Sequence, residues 1–257
     1  MRDSGLQEAI RAVGGVSELA RRIGISQPSV SNWDRIPAER VLTVETATGV
    51  NRSVLRPDLF GSYAAGDIDE VDAARAQEYT LLAALLARAP DAGLLKRLGE
   101  LRSDPSPLGL AHAALAEAAG SIAVERVERE FFDLFIGLGR GDLLPYGSYY
   151  LTGFLHERPL ARLRDDLHAL GIERAEGQVE PEDHAAILCE VMAGLTSRRL
   201  GTPAGADERI FEKHLSPWIG RFFTDLERAE AANFYRHVGT LGRVFMDIET
   251  EAFALPA

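Results

Sequence analysis

Hydrophobic residues recur at intervals of three and four positions along most of the chain, which is the spacing of one face of an amphipathic helix. The spacing is clearest in 81–86, 94–101 and 108–115. Segments that combine Pro with Gly or small polar residues interrupt it at 89–93, 103–107 and 202–205. No alternation of apolar and polar residues is long enough to build a sheet. The pattern therefore predicts an all-α protein.

The first 60 residues divide into short helical segments separated by glycine. A capping box that begins at Ser4 opens a first helix, and a second helix runs over 16–23. Gly24 ends the second helix, and Ser26 is placed to cap a third. The order of short helices and turns predicts a compact helical module, followed by a small-residue linker at 61–70.

Three residues at fixed offsets from Val16 indicate a helix-turn-helix. Ala20, in the fifth place, allows two helices to cross closely, and Gly24, in the ninth, supplies the positive φ of the turn. Val30, in the fifteenth, fills the core between the two helices. This segment resembles the Cro and YdaS-like helix-turn-helix regulators over residues 5–60. The resemblance implies a five-helix domain in 1–60 that binds DNA.

The resemblance also implies that the third helix enters the major groove. Gln27, Ser31 and Asn32 are the candidates for base contact, because amide and hydroxyl groups pair with base edges. The candidates for positioning the helix on the DNA backbone are Ser26, Ser29 and Arg35. Trp33 continues the Val30 face and is expected in the core. A dimer that reads two half-sites is the natural expectation, because a monomer would bind weakly.

The charge is distributed unevenly between the two parts of the chain. Residues 1–61 carry eight Arg and seven acids, a balance of +1, and the remainder carries 20 basic and 32 acidic residues, a balance of −12. An acidic domain over 71–257 repels phosphate and suits a cationic protein or peptide. The near-neutral module leaves a second interpretation open, in which the helix-turn-helix fold is kept but DNA binding is lost.

Several functions are disfavoured by the residues themselves. No stretch approaches the length of a membrane-spanning helix and no secretory signal opens the chain, so we expect a cytoplasmic protein without membrane insertion. Cys189 is the only cysteine and is expected to be buried, and the six scattered histidines form no metal-binding motif. The glycines at 137, 139 and 141 follow no strand and precede no Gly-Lys-Ser/Thr, which makes a phosphate cradle the weakest interpretation. We expect no enzymatic activity, no metal and no cofactor.

Two segments of the acidic part contain residue patterns that an ordinary amphipathic helix does not require. One is an aromatic helix and Gly-rich turn that lead into Pro-Tyr-Gly-Ser-Tyr-Tyr at 145–150. The other is Glu-Pro-Glu-Asp-His at 180–184, where Pro181 suits the first position of a helix and the acids suit its positive end. Together with His-Leu-Ser-Pro-Trp at 214–218, these segments resemble the TorD/DmsD family over about 71–255. That family consists of all-helical cytoplasmic chaperones for molybdenum-cofactor redox enzymes.

The resemblance implies a binding protein. Its partner would be the apo form of a molybdoenzyme subunit or its twin-arginine signal peptide, with a formate dehydrogenase as one candidate client. Carried over by position, the client-binding residues would be Tyr146, Tyr149, Glu180, Pro181, Asp183 and His184. Carboxylates pair with guanidinium groups and tyrosine rings contact apolar segments. The alternative is a transcription regulator whose TorD-like part serves as sensor or dimeriser.

Overall fold

The structure is a computed structural model, and it describes residues 3–57, 69–138, 141–175 and 177–254. Throughout these ranges the regular secondary structure is helical, with one isolated antiparallel bridge between Tyr146 and His184, and the predicted all-α class is confirmed. Contacts within the chain divide it into two units. The first comprises Met1–Asp69 with Arg198–Ala204, and the second comprises Glu70–Ser197 with Gly205–Ala257. The predicted linker at 61–70 lies almost wholly outside the described residues, so the domain boundaries remain a prediction.

The described part of the first unit contains the five expected helices and one 3-10 turn at Ala38–Arg40. They are α1 Ser4–Val13, α2 Val16–Arg22, α3 Gln27–Ser31, α4 Val41–Thr48 and α5 Arg52–Leu55. The capping box at Ser4 is wrong by one residue. Asp3 is the N-cap, because its carboxylate accepts a hydrogen bond of 2.9 Å from Gly5 N and Ser4 is already helical.

The core of the first unit follows the predicted helix-turn-helix offsets. Ala20 and Val30 are buried, and Gly24 has a φ of 72°, in the left-handed region that favours glycine. Trp33 is half-buried and packs against the same core cluster. The small residue, the turn glycine and the β-branched plug therefore do what their spacing predicted.

The second unit is a bundle of longer helices. They are α6 Glu70–Ala87, α7 Ala92–Gly99, α8 Pro107–Ser121, α9 Val124–Phe131, α10 Gly147–Thr152, α11 Arg158–Ala169, α12 Ala185–Thr196, α13 Ala206–Ile210, α14 Ser216–Arg228 and α15 Phe234–Phe253. Two π-helical turns, Phe132–Ile136 and Phe211–Leu215, continue α9 and α13. Helix α12 packs along α6, and α15 packs between α8 and α14.

Helix α12 lies at the centre of this unit, and ten of its twelve residues are buried. Cys189 is among them, as predicted, and burial raises the pKa of its thiol to about 12. A helix apolar on all sides must be surrounded by other elements to be stable in water. The packing around α12 therefore fixes the position of the residues at its amino-terminal end.

A buried carboxylate fixes the start of α15. Glu130 Oε1 accepts hydrogen bonds from Asn233 N at 2.8 Å and Tyr235 N at 2.6 Å, and Oε2 accepts one from Phe234 N at 3.1 Å. These N–H groups belong to the first turn of the helix, where they have no partner within the helix itself. Glu130 thus joins α9 to α15 across 103 to 105 residues of sequence.

Among the described residues, no single helix is long and apolar enough to cross a membrane. The two segments 107–121 and 124–136 meet the length and composition criteria only as a pair, and they are bent by 116° at the break.

Candidate functional site

The two segments that the sequence singled out lie against each other. The loop before α10 and the segment before α12 pair through three contacts. Ala185 N donates to Pro145 O at 2.8 Å, Gly147 N donates to Asp183 O at 2.9 Å, and Tyr146 forms the antiparallel bridge with His184. Residues 36 to 40 positions apart are therefore fixed relative to each other by backbone pairing.

Asp183 is the buried centre of this junction, with 3% of its surface exposed. Its Oδ2 accepts a hydrogen bond of 2.7 Å from Ser148 N, near the start of α10. Its Oδ1 is also buried and has no hydrogen-bond partner in the described part of the chain, and the same holds for Ser148 Oγ. A buried carboxylate oxygen without a donor is costly, because it has lost its hydration without replacement. One oxygen of this carboxylate thus serves the fold, and the other has no hydrogen-bond partner among the described residues.

His184 is the N-cap of α12. Its Nδ1 accepts a hydrogen bond of 3.1 Å from Ala186 N, and the ring meets Tyr146 edge-on at a centroid distance of 5.0 Å. Burial lowers the pKa of His184, and this outweighs the opposing effect of Glu180 and Asp183. The capping bond requires an unprotonated Nδ1, so geometry and pKa both favour the neutral ring.

The helix start predicted at Pro181 is wrong. Helix α12 begins at Ala185, and Pro181 lies in the preceding turn, where its carbonyl accepts a hydrogen bond of 3.0 Å from His184 N. The side chain of His184 supplies the cap, and this lets Asp183 turn away from the helix to bind Ser148 N. The acids at 180–183 therefore belong to the loop before α12 instead of the helix terminus.

Tyr146 and Glu180 form the outer edge of the junction. The Tyr146 hydroxyl donates a hydrogen bond of 2.6 Å to Glu180 Oε2, and burial together with this carboxylate raises the pKa of Tyr146. Glu182, beside them, is paired with Arg164 at 2.8 Å. Burial is the largest single effect and raises the pKa of Glu182, but the hydrogen bond from Arg164, a backbone hydrogen bond and the charges of Arg164 and Arg174 together outweigh it, so the net pKa is lowered.

Tyr149 occupies a different position from the other predicted residues. It is half-buried on α10 and contacts Tyr150 edge-on at 6.0 Å. The structure thus brings Tyr146, Glu180, Asp183 and His184 together, with Pro181 in the connecting turn, and places Tyr149 one helical turn away from Tyr146.

A cavity of about 460 Å³ opens beside Asp183, between α10, α11 and the second π turn. Six of the residues that line it are Gly147, Leu151, Leu163, Asp166, Asp183 and His214. Four of them, Gly147, Leu163, Asp183 and His214, are buried. A concave site with an apolar wall and a few fixed polar groups is typical of a binding site.

His214 is a site residue that the sequence did not single out. Its Nε2 lies 2.7 Å from Asp166 Oδ2, and hydrogen bonding to His214 lowers the pKa of Asp166. Trp218 Nε1 donates a hydrogen bond of 2.7 Å to His214 O, and a Cβ on Gly147 would lie only 3.0 Å from that nitrogen. The π turn turns His214 toward the cavity, and such turns are frequent at functional sites. The motif at 214–218 contained the signal, but not the direction of the side chain.

The candidate DNA-binding residues lie at and after α3. Ser26 is the N-cap, as predicted: its Oγ accepts from Ser29 N at 3.3 Å and lies 2.7 Å from Ser29 Oγ. Gln27 Nε2 donates to Ser31 Oγ at 3.0 Å. Helix α3 ends at Ser31, so Asn32 is its C-cap and Arg35 lies beyond it. The predicted exposed face of one helix is therefore divided between a short helix and the turn that follows.

The charge next to this helix is largely compensated. Glu18 binds Arg21 at 2.6 and 2.9 Å and Arg22 at 2.9 Å, and these bonds lower the pKa of Glu18 to about 2. Two of the eight arginines of the module are thus paired with one carboxylate on the surface of α2.

The acidic part of the chain is similar to a known family. Residues 101–224 match the family described as nitrate reductase delta subunit. The chaperone protein TorD of Vibrio cholerae serotype O1 is 29% identical over 126 residues, which cover 46% of this chain and 57% of that protein. TorD of Aliivibrio fischeri is 27% identical over 138 residues, with coverages of 49% and 63%. The chain therefore spans little more than half the length of these relatives.

A solved structure is also similar. The crystal structure of a "putative redox enzyme maturation protein" from Archaeoglobus fulgidus covers 68% of this chain and 93% of that chain, with a TM-score of 0.48 and 18% identity.

The amino-terminal part has separate relatives. Residues 6–64 match the family described as bacterial toxin YdaS. The Escherichia coli protein named "Putative transcriptional regulator YdaS" is 43% identical over 63 residues, which cover 22% of this chain and 64% of that protein. These matches confirm both resemblances that the motifs indicated. The protein joins a YdaS-like helix-turn-helix segment to a TorD-like helical segment.

Proposed function

We propose that this protein is a cytoplasmic chaperone for a molybdenum-cofactor redox enzyme. It binds the apo form of the client, its twin-arginine signal peptide, or both, until the client matures. A formate dehydrogenase is one candidate client. In this proposal the protein is a binding protein and not an enzyme, and its relatives named chaperone protein TorD support that class.

The observation that carries the proposal is the junction around Asp183 and His184. It places a buried carboxylate, one oxygen of which has no partner among the described residues, at the edge of a cavity, beside the Tyr146 and Glu180 pair. Such a site can bind a cationic, partly apolar peptide, because the carboxylate accepts from guanidinium and the ring provides apolar contact. The balance of −12 over residues 62–257 favours approach of the same kind of partner.

Co-purification with a cofactor-free molybdoenzyme subunit tests the proposal. The two proteins are expressed together, and the full-length chain carries either Asp183→Asn or Glu180→Gln. We expect both variants to retain less client than the wild type, with the larger loss for Asp183→Asn, because its charge is buried and desolvated.

Glu190→Gln is the matched control, because Glu190 is an exposed acid on α12 outside the junction. It should retain the client at the wild-type level. Client retention that is equal in all four proteins would contradict the assignment of the site, and no retention by the wild type would contradict chaperoning.

A second candidate function is transcription regulation, with the TorD-like part as sensor or dimeriser. It is favoured by the YdaS-like segment, in which Gln27 and Asn32 are exposed at the two ends of α3. Binding of the full-length protein to operator DNA from its own locus tests this function. We expect Gln27→Ala with Asn32→Ala to relax sequence preference, since both residues are candidates for base contact.

The two functions are compatible. If client binding and DNA binding influence each other, the client must bind the DNA-competent and DNA-free states with different affinities. We propose this coupling as the role of the combined chain. Operator affinity measured with and without saturating client tests it, and an unchanged affinity would contradict it.

A further inference from the structure

We propose that a second cavity, between the end of α8, the start of α9 and the first turn of α15, binds a small molecule that carries a phosphate or diphosphate group. The sequence motifs and the proposed function assign no role to this cavity. Its volume is about 560 Å³, and the described residues that line it differ from those of the cavity beside Asp183. The proposal concerns a different ligand at a different place, so it does not depend on the client.

Three basic side chains from two helices line this cavity. Arg126 lies in the first turn of α9, and Arg236 and His237 lie in the first turn of α15. Both arginines are exposed, and neither has an ion-pair partner among the described residues, whereas Arg129 on α9 and Arg243 on α15 are paired with carboxylates. Two guanidinium groups that border one cavity and bind no carboxylate favour an anionic ligand.

The charge at this cavity is opposite in sign to that of the surrounding unit. Among the described residues that line it, two arginines stand against one acid, Glu117, a balance of +1 with His237 neutral. The acidic excess of residues 62–257 repels an anion at a distance, but physiological salt screens exposed charges beyond about 8 Å. The nearby arginines therefore decide which ligand is bound, and Glu117 reduces its affinity.

The start of α9 adds to the attraction of an anion. Its N-cap is Ala123, which has no side-chain acceptor for the N–H groups of the first turn, and Ile122 and Arg126 on either side of this start both line the cavity. The positive end of the α9 dipole therefore lies beside the same space as the arginines. At α15 the first N–H groups are already bound by Glu130, so this helix contributes the side chain of Arg236 instead.

Phosphate on an organic body fits this cavity for two reasons. A phosphate group has enough oxygens to bind two guanidinium groups at once, and the planar fork of each arginine matches its geometry. Asn233, an exposed residue with an amide donor, lines the same cavity, and Ile122 and Phe234 give it an apolar wall. The volume is in the range of sites for small organic molecules and exceeds what a free phosphate ion fills. The ligand class is therefore a phosphate ester with an apolar or aromatic body.

The test is isothermal titration of the full-length protein with phenyl phosphate and with benzyl alcohol, which keeps the ring and lacks the charge. We expect saturable binding of phenyl phosphate alone. Arg126→Gln and Arg236→Gln should each weaken it by at least about fivefold. Arg129→Gln removes the same charge from the same helix outside the cavity and should change the affinity by less than about twofold.

Two further variants separate the ligand groups from general effects on the fold. Glu117→Gln should strengthen binding of phenyl phosphate by about twofold to fivefold, a gain that damage to the fold would not produce. Ile122→Ser should weaken binding of phenyl phosphate and leave binding of inorganic pyrophosphate unchanged, because only the former has an apolar body.

Three results would overturn the proposal. The first is equal affinity of phenyl phosphate for the wild type and for both arginine variants, and the second is the absence of saturable binding to the wild type. The third is a peptide of four glutamates that displaces phenyl phosphate and binds more tightly, since the cavity would then serve an acidic protein segment. Each of these results would leave the proposed chaperone function in place.

Discussion

At the scale of single residues, Asp183 has a clear role in folding and a proposed role in binding. Its Oδ2 accepts from Ser148 N and joins two segments of the bundle, while Oδ1 is buried without a partner among the described residues. A buried carboxylate is stable only when hydrogen-bond donors or positive charges compensate for its lost hydration. The hydrogen bond from Ser148 N is therefore one reason why Asp183 can be buried here. Binding of a cation would supply the missing partner.

His184 makes stability depend on pH. Its pKa is lowered in the folded protein, so on acidification the unfolded chain binds the proton first. The contribution of the neutral ring is complete above about pH 6.5, the ordinary histidine pKa, and declines as pH falls from there toward the folded pKa. His184→Asn keeps a capping oxygen without a titrating ring. We expect the free energy of unfolding, measured in urea, to decline less on acidification in this variant.

His112 provides the opposite sign as a control. Glu78 Oε1 lies 2.9 Å from His112 Nε2 and raises its pKa, so its contribution is complete below about pH 6.5 and is lost as pH rises through the folded value. His112→Asn should therefore flatten the alkaline side of the profile. Equal pH profiles for wild type and His184→Asn would contradict the assignment of a buried neutral ring.

Glu130 should be among the most sensitive residues for stability. Its carboxylate accepts from three N–H groups at the start of α15, and glutamine would present an amide with only one acceptor. We expect Glu130→Gln to lower the free energy of unfolding by about 1.5–3 kcal/mol. Glu128→Gln, an exposed neighbour on α9, should change it by less than about 0.5 kcal/mol. Similar losses in both variants would show that the cap is not the cause.

At the scale of elements, contact between α14 and α15 depends on glycine. A Cβ on Gly239 would lie 2.6 Å from Glu227 N, which is backbone and cannot rotate away. We expect Gly239→Ala to lower the unfolding free energy by about 1–3 kcal/mol. At Gly220, on α14, a Cβ would meet nothing within 4 Å, and Gly220→Ala should raise stability by about 0.5–1 kcal/mol. Thermal and urea unfolding of both variants measure these changes. A Gly239→Ala variant as stable as the wild type would contradict the close approach of α14 and α15 at this glycine.

Helix α2 should limit DNA affinity through Glu18. The carboxylate is shared by Arg21 and Arg22 on an exposed surface, which reduces the charge available for phosphate. Glu18→Gln should strengthen DNA binding by the full-length protein and steepen the slope of log affinity against log salt by about 1 for each arginine that gains a phosphate contact. Glu8→Gln, which alters the separate pair with Arg11 on α1, is the control. An unchanged slope would indicate that α2 does not face the DNA.

Features set by neighbouring residues could be predicted from the sequence. Ala20, Gly24 and Val30 take their predicted places, because two adjacent short helices and one glycine turn fix their spacing within fifteen residues. The start of α12 was misplaced because proline and acids are equally good at a helix start and in the turn before it. Only the tertiary pairing with the 145–148 loop selects His184 as the cap.

The cavity could not be predicted in the same way. Asp183 and Ser148 are 35 residues apart, and Asp166 and His214 are 48 apart. No periodicity reports such pairs, and the π turn that directs His214 inward has no simple sequence signature. The motifs predict which segments form the candidate site. Only the three-dimensional pairing of these segments shows which of their polar atoms have no partner among the described residues.

At the scale of the whole molecule, two segments of different charge share one chain. The first 61 residues have a balance of +1 and the rest −12, so the second part as a whole repels phosphate and favours a cationic partner, whereas the first part is nearly neutral. In the proposed functions, one part of the chain binds DNA and the other binds an immature enzyme, and a difference in charge between the two parts suits these two partners.

The most direct test is titration of the full-length protein with one molybdoenzyme catalytic subunit in its cofactor-free and its cofactor-loaded forms. We expect saturable binding of the cofactor-free form that Asp183→Asn weakens and Glu190→Gln does not, and at least about tenfold weaker binding of the loaded form. Equal affinity for the two forms, or binding that is indifferent to Asp183→Asn, would contradict the proposed chaperone function.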